Sequence, residues 1–379
     1  MGRRRSTVIG ALSLALLATP AAAQKTSVPL PVLAPVTGYA SIEGASQKNG
    51  TNLAERTIRD VRIESRVLDA ATSPEGAVAT WERAVRRPLP PAVMGPLLGP
   101  QMLAVMPLAQ SLGVPLLTLS TNPKLSEAGN PYFFRFLPSD AVAKAAHARY
   151  VVQKLGAKRP VVIYQATVDG QAARDELAKT FTELKTKPVL EEGVAPDATD
   201  LTALMARVKA ANADVIVLHL RAASTAAAVR QARKALPGLP IVASITMHQP
   251  STAALLEPAE LKGVCAETAA SPASATEGPM KEFAEAYRKA FKAEPDAFAA
   301  AQYDAIHMVA KAAADLAKAS QAITPISMRG ALSRDTYKGL VTDYKSDGKG
   351  NMAHEVQIVC YDGTTRIPTV VERYAAPAR

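Results

Sequence analysis

Short apolar or β-branched runs alternate with alanine-rich stretches along most of this chain, a pattern that predicts parallel strands joined by crossover helices. In the first half, strands are predicted over 28–34, 61–68, 92–95 and 114–119. Helices are predicted over 44–59 and 74–86, and a third is opened by Pro100 and closed before Gly113. Pro74 stands at a helix start, where its missing N–H leaves nothing unsatisfied. After Phe134 the pattern restarts, with strands over 160–164, 188–192, 214–218 and 240–243 and helices over 170–184, 201–210 and 224–236. Two more helices, 277–291 and 297–318, precede a hairpin of 354–360 and 365–374 that turns at Asp362-Gly363. The expected fold class is α/β, with two similar units in succession and no Gly/Ser linker between them.

The N-terminus changes this picture. Arg3, Arg4 and Arg5 precede an uncharged stretch over 8–18, and Ala21-Ala22-Ala23 then offers small residues for cleavage, the pattern of a secretory signal peptide. Its apolar run is about half the ~20 residues that a membrane-spanning helix needs. The mature chain is expected to begin near Gln24. Even without that leader, the 379-residue chain exceeds the ~250–300 residues beyond which single cores tend to split, so two domains are expected.

The formal charge of +10 comes from 44 Lys and Arg against 34 Asp and Glu. It is spread without a dense basic run or interleaved aromatics, which describes a solvated surface and not a nucleic-acid interface. The two cysteines, Cys265 and Cys360, exclude a disulfide framework. One bridge and two free buried thiols both fit the sequence, the free thiols being the preferred reading.

Enzyme signatures are absent from the sequence. The histidines, His147, His219, His248, His307 and His354, show no metal-ligand spacing. There is no Gly-x-Ser-x-Gly elbow, no phosphate loop, and no Gly-x-Gly-x-x-Gly after the first strand. Neither a metal nor a cofactor is expected. Ligands in open parallel sheets sit beyond the carboxyl ends of the strands, which here are 35–39, 69–72, 96–100, 118–122, 165–170, 219–222 and 244–248. Two such rims facing each other form a cleft suited to enclosing a small molecule between hinged lobes. Asp169 on one rim reads first as the N-cap of the following helix.

Several runs carry a family resemblance: Leu33-Ala34-Pro35-Val36-Thr37-Gly38, Val93-Met94-Gly95-Pro96, Val114-Pro115-Leu116-Leu117-Thr118, Ser120-Thr121-Asn122-Pro123 and Phe134-Arg135-Phe136-Leu137-Pro138-Ser139-Asp140. Further along, Arg230-Gln231-Ala232-Arg233 and Gln302-Tyr303-Asp304-Ala305 continue the series. In order and spacing these runs resemble the periplasmic leucine/isoleucine/valine-binding proteins of branched-chain amino acid importers, over nearly the whole mature chain.

The resemblance implies a two-lobed periplasmic-binding-protein-like fold with three hinge crossings, near Pro138, near Ser271 and within 343–351. Lobe 1 would comprise 24–138 plus 272–345, and lobe 2 139–271 plus 346–379. It implies a monomeric, non-enzymatic periplasmic protein whose partners are a small-molecule ligand and the membrane permease of an ABC importer. A ligand sensor of the same fold, signalling to a membrane receptor or regulator, is the alternative.

For the site, Tyr39 and Thr121 fall on ligand-contacting positions, and Leu98, Thr118, Ser120, Asp169 and His219 complete the expected rim. The serine that meets the ligand carboxylate in the family falls on Gly99, the acid that holds the ligand ammonium falls near Met247, and an aromatic position falls on Arg221. The implied ligand is a carboxylate with an apolar or aromatic body, or else a branched-chain amino acid or amide.

Overall fold

The computed structural model describes Gly2 and residues 25–375, so the expected leader lies outside the described residues. The first sheet is built from β1 (Ser27–Ala34), β2 (Arg62–Asp69), β3 (Val93–Met94), β4 (Leu116–Thr118) and β5 (Phe133–Arg135). All are parallel, in the order β2-β1-β3-β4-β5. Between them run α1 (Ser41–Thr57), α2 (Pro74–Ala84), α3 (Gly99–Leu112) and the single turn α4 (Lys124–Glu127). β1 accommodates Pro29 and Pro31 because it meets β3 only at Val32, so that edge carries no ladder over the earlier residues.

The second sheet receives β6 (Pro160–Gln165), β7 (Leu190–Val194), β8 (Val215–His219), β9 (Ile241–Ala243) and β10 (Val264–Thr268). Its helices are α5 (Asp140–Arg149), α6 (Val168–Glu183), α7 (Thr202–Ala210), α8 (Ala222–Ala235) and the short α9 (Pro250–Ala253). The chain then returns to the first lobe for α10 (Gly278–Phe291), α11 (Ala297–Lys318), α12 (Pro325–Arg334) and the small hairpin β11 (Tyr337–Lys338) with β12 (Asp343–Tyr344). Finally β13 (Glu355–Cys360) joins β10 antiparallel, and β14 (Thr369–Ala375) joins β13, giving the order β14-β13-β10-β9-β8-β6-β7.

Two elements that pattern reading did not predict, α5 and β10, lie at the hinge. Phe136, Leu137, Ala269, Ala270, Met352 and Ala353 all belong to the first lobe's apolar core. The chain therefore leaves that lobe after Leu137, re-enters after Thr268, and leaves again after Ala353, past the expected 343–351 segment. Lobe 1 is closed by α11 lying along α1; a Cβ on Gly50 would stand 2.5 Å from the Ala299 carbonyl oxygen, so only glycine permits this approach.

Cys265 and Cys360 are directly opposite in the β10–β13 ladder and are disulfide-bonded, which corrects the preference for free thiols. The cause is register: once β10 is a strand, its pairing with β13 brings the two side chains together.

Asp304, buried on α11, fastens the small hairpin by accepting hydrogen bonds from Leu340 N at 2.8 Å, Val341 N at 2.9 Å and Tyr344 Oη at 3.1 Å. Burial outweighs these bonds and pushes its pKa up to about 7. With the folded value above the unfolded one, its contribution to stability is fully present below about pH 4 and is lost as pH rises through about 7. Asp304→Asn is therefore expected to make the change in unfolding free energy between pH 4 and 7 less negative than in the unmodified chain; equal slopes in urea titrations of the two proteins would refute this.

Among the described residues no helix is long and apolar enough to cross a membrane, and no group of three or more His, Cys, Asp or Glu is arranged to hold a metal ion.

Candidate functional site

The carboxyl ends of both sheets face each other. From the first lobe come Leu97, Leu119, Ser120 and Thr121, with Phe298 at the start of α11. From the second come Gln165, Thr167 and Asp169 after β6, His219 to Arg221 after β8, and Ser244 to Thr246 after β9. The cavity between them is ≈ 50 Å³, well below the roughly 150 Å³ of an engineered core cavity that takes up benzene. The lobes are thus in a closed arrangement, and a solute larger than a few waters enters only when they part.

Two side chains of the second lobe, Asp169 and Arg221, reach across the mouth to the first. Thr167 caps α6, its hydroxyl accepting from Gly170 N at 3.1 Å, so Asp169 is not the expected N-cap and is released to point across the cleft. Asp169 accepts from Gly99 N at 3.2 Å and from Asn122 Nδ2 at 2.8 Å. Beside it, Arg221 Nη1 donates to Glu43 Oε1 at 3.1 Å, and its guanidinium lies 5.9 Å from the Tyr39 ring centre. Burial works against the Arg221 charge, but Glu43, and after it Asp169, more than offset this and raise its pKa. The Arg221 backbone is fixed by Gln165, whose carbonyl oxygen accepts from Arg221 N at 2.9 Å while its amide donates to Val194 O at 3.2 Å and Ala195 O at 2.5 Å.

Three of the hydroxyls around the cavity, those of Thr121, Ser244 and Thr246, have their protons committed. Thr121 Oγ1 donates to Asp140 Oδ2 at 2.9 Å, and Thr246 Oγ1 donates to the Leu220 carbonyl at 2.7 Å. With the Thr246 proton so used, Ser244 Oγ donates to Thr246 Oγ1 at 2.8 Å. Each of these oxygens turns only lone pairs toward a solute. His219, with burial first and then Lys144, Arg221 and His147 opposing its charge, has a pKa well below the usual histidine range and is neutral; its Nδ1 has no partner among the described residues. The cleft is therefore rich in acceptors, with Arg221 as its cation and Asp169 as its half-buried acid.

Behind the cleft, at the hinge, lies a buried polar cluster. Lys144 on α5 contacts Glu267 of β10 and lies 3.5 Å from Asp140. His147 faces acceptors on both ring nitrogens, Glu267 Oε2 at 3.0 Å from Nδ1 and Val242 O at 3.1 Å from Nε2. Burial, and after it Lys144, depress the His147 pKa to about 3, so the ring is neutral. Lys144 thus stands between two buried carboxyl groups, Asp140 and Glu267, with the neutral His147 ring packed against the second and its Nε2 against Val242 O.

Of the residues expected from sequence, Ser120, Thr121, Asp169, His219 and Arg221 line the cavity, and Gly99 meets it through Asp169. Tyr39 stands at the mouth, 44% exposed, beneath Arg221. Thr118 is buried one layer back, donating to Pro96 O at 2.7 Å and accepting from Ser120 N at 3.0 Å. Leu98 packs into the first lobe's core. Met247 does not face the cleft: the short helical turn Ile245–His248 rotates it into the second lobe's core, at 0% exposure. Asn122 and Gln165 also take part in the site, and Glu43 and Phe298 were not anticipated. Asn122 lies within the 118–122 strand end and Gln165 opens the 165–170 one, so both were within reach of the rim rule; Glu43 and Phe298, on helices, were not.

Two lobes of mostly parallel sheet joined by three crossings, with a cleft between their strand ends, define a hinged binding protein. The sequence pattern of the periplasmic binding protein family matches residues 27–365, and the chain belongs to that family. It is 29% identical over 174 residues, 46% of either chain, to an amino acid binding protein of Pseudomonas aeruginosa. It is 22% identical over 240 residues to a leucine-, isoleucine-, valine-, threonine- and alanine-binding protein of the same organism, covering 62% of this chain and 64% of that one. These matches span about half to under two thirds of the curated relatives' length. In fold, the chain superposes on the branched-chain amino acid transporter substrate binding protein LivJ of Streptococcus pneumoniae, in complex with isoleucine, with a TM-score of 0.81 at 23% identity, covering 91% of this chain and 99% of that one. A solute binding protein of an ABC transporter from Rhodopseudomonas palustris, in complex with 3,4-dihydroxybenzoic acid, gives a TM-score of 0.82 at 19% identity, covering 92% and 98%.

Proposed function

We propose that this protein captures a small amphoteric solute, an amino acid with an apolar side chain, in the cleft and delivers it to the membrane permease of an ABC importer from the periplasmic side. The observation that carries this reading is the pairing on one rim of an acid, Asp169, with a base, Arg221, above an apolar surface of Leu97, Leu119, Ile245 and Phe298. An ammonium finds Asp169 and the lone pairs of Thr121, and a carboxylate finds the guanidinium N–H groups that Glu43 leaves free. The inference from sequence toward a carboxylate lacking an amine rested on Met247 replacing the acid of the wall. With Met247 in the core and Asp169 in the cleft, that reason falls away. The names of the amino-acid-binding relatives support the same reading.

The test is a thermal-shift panel on protein stripped of carried ligand by unfolding and refolding. Ligand at 100 times its dissociation constant adds about 2.7 kcal/mol, which raises the midpoint of a protein this size by a few degrees. Leucine, isoleucine or valine should give such a shift and benzoate should not. A shift with benzoate alone, or with none of them, would defeat the proposal.

A further inference from the structure

The geometry points to Asp169 as a built-in occupant of the anion seat at the start of α3, where it latches the lobes and sets the polarity in which a solute binds. The first turn of a helix presents unpaired N–H groups and the positive end of its dipole. In α3 the N-cap residue, Leu98, brings no side-chain acceptor, so that turn has no cap from its own segment. The acceptor comes from the opposite lobe, as Asp169 Oδ2 meets Gly99 N at 3.2 Å and Oδ1 takes Asn122 Nδ2 at 2.8 Å.

Two further observations show that the seat is shaped for this carboxylate. A Cβ on residue 99 would stand 2.3 Å from Asp169 Oδ1 and 2.5 Å from Asn122 Nδ2, so a larger residue there would evict it. On the other side, Thr167 already caps α6 and leaves Asp169 without a duty in its own helix.

A solute carboxylate that takes this seat while the lobes are apart meets the Asp169 carboxylate as they close, like charge against like, so closure disfavours a carboxylate at this end. The solute's ammonium lies at this end, against Asp169 and the lone pair of Thr121, whose proton is held by Asp140. Its carboxylate lies toward Arg221. This reverses the polarity implied by the resemblance, in which residue 99 meets the ligand carboxylate. The orientation rests on the amino acid reading above; the latch does not.

Asp169→Ala and Gly99→Ser, each in the full mature chain, separate the two. Small-angle scattering without solute should show the unmodified protein compact and both variants expanded, since each empties or blocks the seat. Calorimetry with leucine, 3-methylbutylamine and 4-methylpentanoate then reads polarity. Asp169→Ala should bind leucine and the amine at least tenfold more weakly and the acid at least tenfold more tightly. Scattering curves identical to the unmodified protein's would overturn the latch, and an unchanged preference between acid and amine would overturn the orientation. If none of the three solutes binds the unmodified protein, the amino acid reading fails while scattering still decides the latch.

Discussion

Replacing Lys144 by methionine should cost the protein about 3–5 kcal/mol of stability, the range for breaking a buried ion pair by removing one partner. Lys144, Asp140 and Glu267 are all nearly inaccessible, with side-chain exposures of 1%, 4% and 3%. Without the ammonium, Asp140 retains the Thr121 hydroxyl but loses its compensating charge in a site that already raises its pKa by burial. The carboxyl of Glu267 loses its ammonium partner and keeps only the His147 ring beside it. Because α5 and β10 bear these residues on the second-lobe side of two hinge crossings, the loss should appear as a lowered unfolding midpoint and not as local fraying. A double variant, Lys144→Met with Asp140→Asn, removes the ammonium and one of its two carboxylate partners and should recover part of the deficit. Urea unfolding checks both proteins, and a cost below about 1 kcal/mol for the single variant would show that the cluster is solvated in solution.

The second large effect belongs to the disulfide. Cys265 and Cys360 are separated by 95 residues, and closing a loop of about 100 residues removes unfolded-chain entropy equivalent to about 4.7 kcal/mol in the chain-entropy treatment. Measured losses on removing native bridges run at about 2–5 kcal/mol, and the Cys265→Ser/Cys360→Ser double variant should fall in that range. The bond joins β10 to β13 within the second sheet, so solute affinity at 25 °C should be unchanged while the unfolding midpoint drops. Loss of affinity without loss of stability would mean that the bridge shapes the hinge and not the sheet.

What pattern reading found and missed follows from which residues carry the signal. β1, β8 and β9 are apolar runs of the length that parallel strands need, and α2 and α11 have clean starts at Ser73 and Asp296. β10 escaped because Glu267 and Thr268 interrupt its apolar run; both are buried, the acid being satisfied by Lys144 and His147, partners that only the folded chain supplies. α5 escaped for the converse reason, as Asp140, Lys144 and His147 lie on its buried face where a periodicity argument expects apolar residues. With β10 unseen, the register that joins the cysteines could not be read either. The candidate site was legible through the rule that ligands sit beyond strand ends, which located Thr121, Asp169, His219 and Arg221. It failed at Met247 because one turn of tight helix after β9 rotates side chains by an amount no spacing reveals. Glu43 was invisible for a simpler reason: an acid in the first turn of a helix is ordinarily explained by the dipole alone.

The interleaving of the two lobes bears on how the chain acquires its structure during synthesis. Ser46 on α1 hydrogen-bonds Asp296 at the head of α11, 250 positions later, and β13 and β14 complete the second sheet only at the far end of the chain. A nascent polypeptide emerging N-terminus first cannot cover the apolar face of β1 and α1 until α11 arrives, nor close the second sheet until almost everything has been made. Neither lobe is a folding unit that a ribosome or a translocation pore releases whole. The early strands stay uncovered for most of the elongation time, a long window in which holding factors must keep them from aggregating.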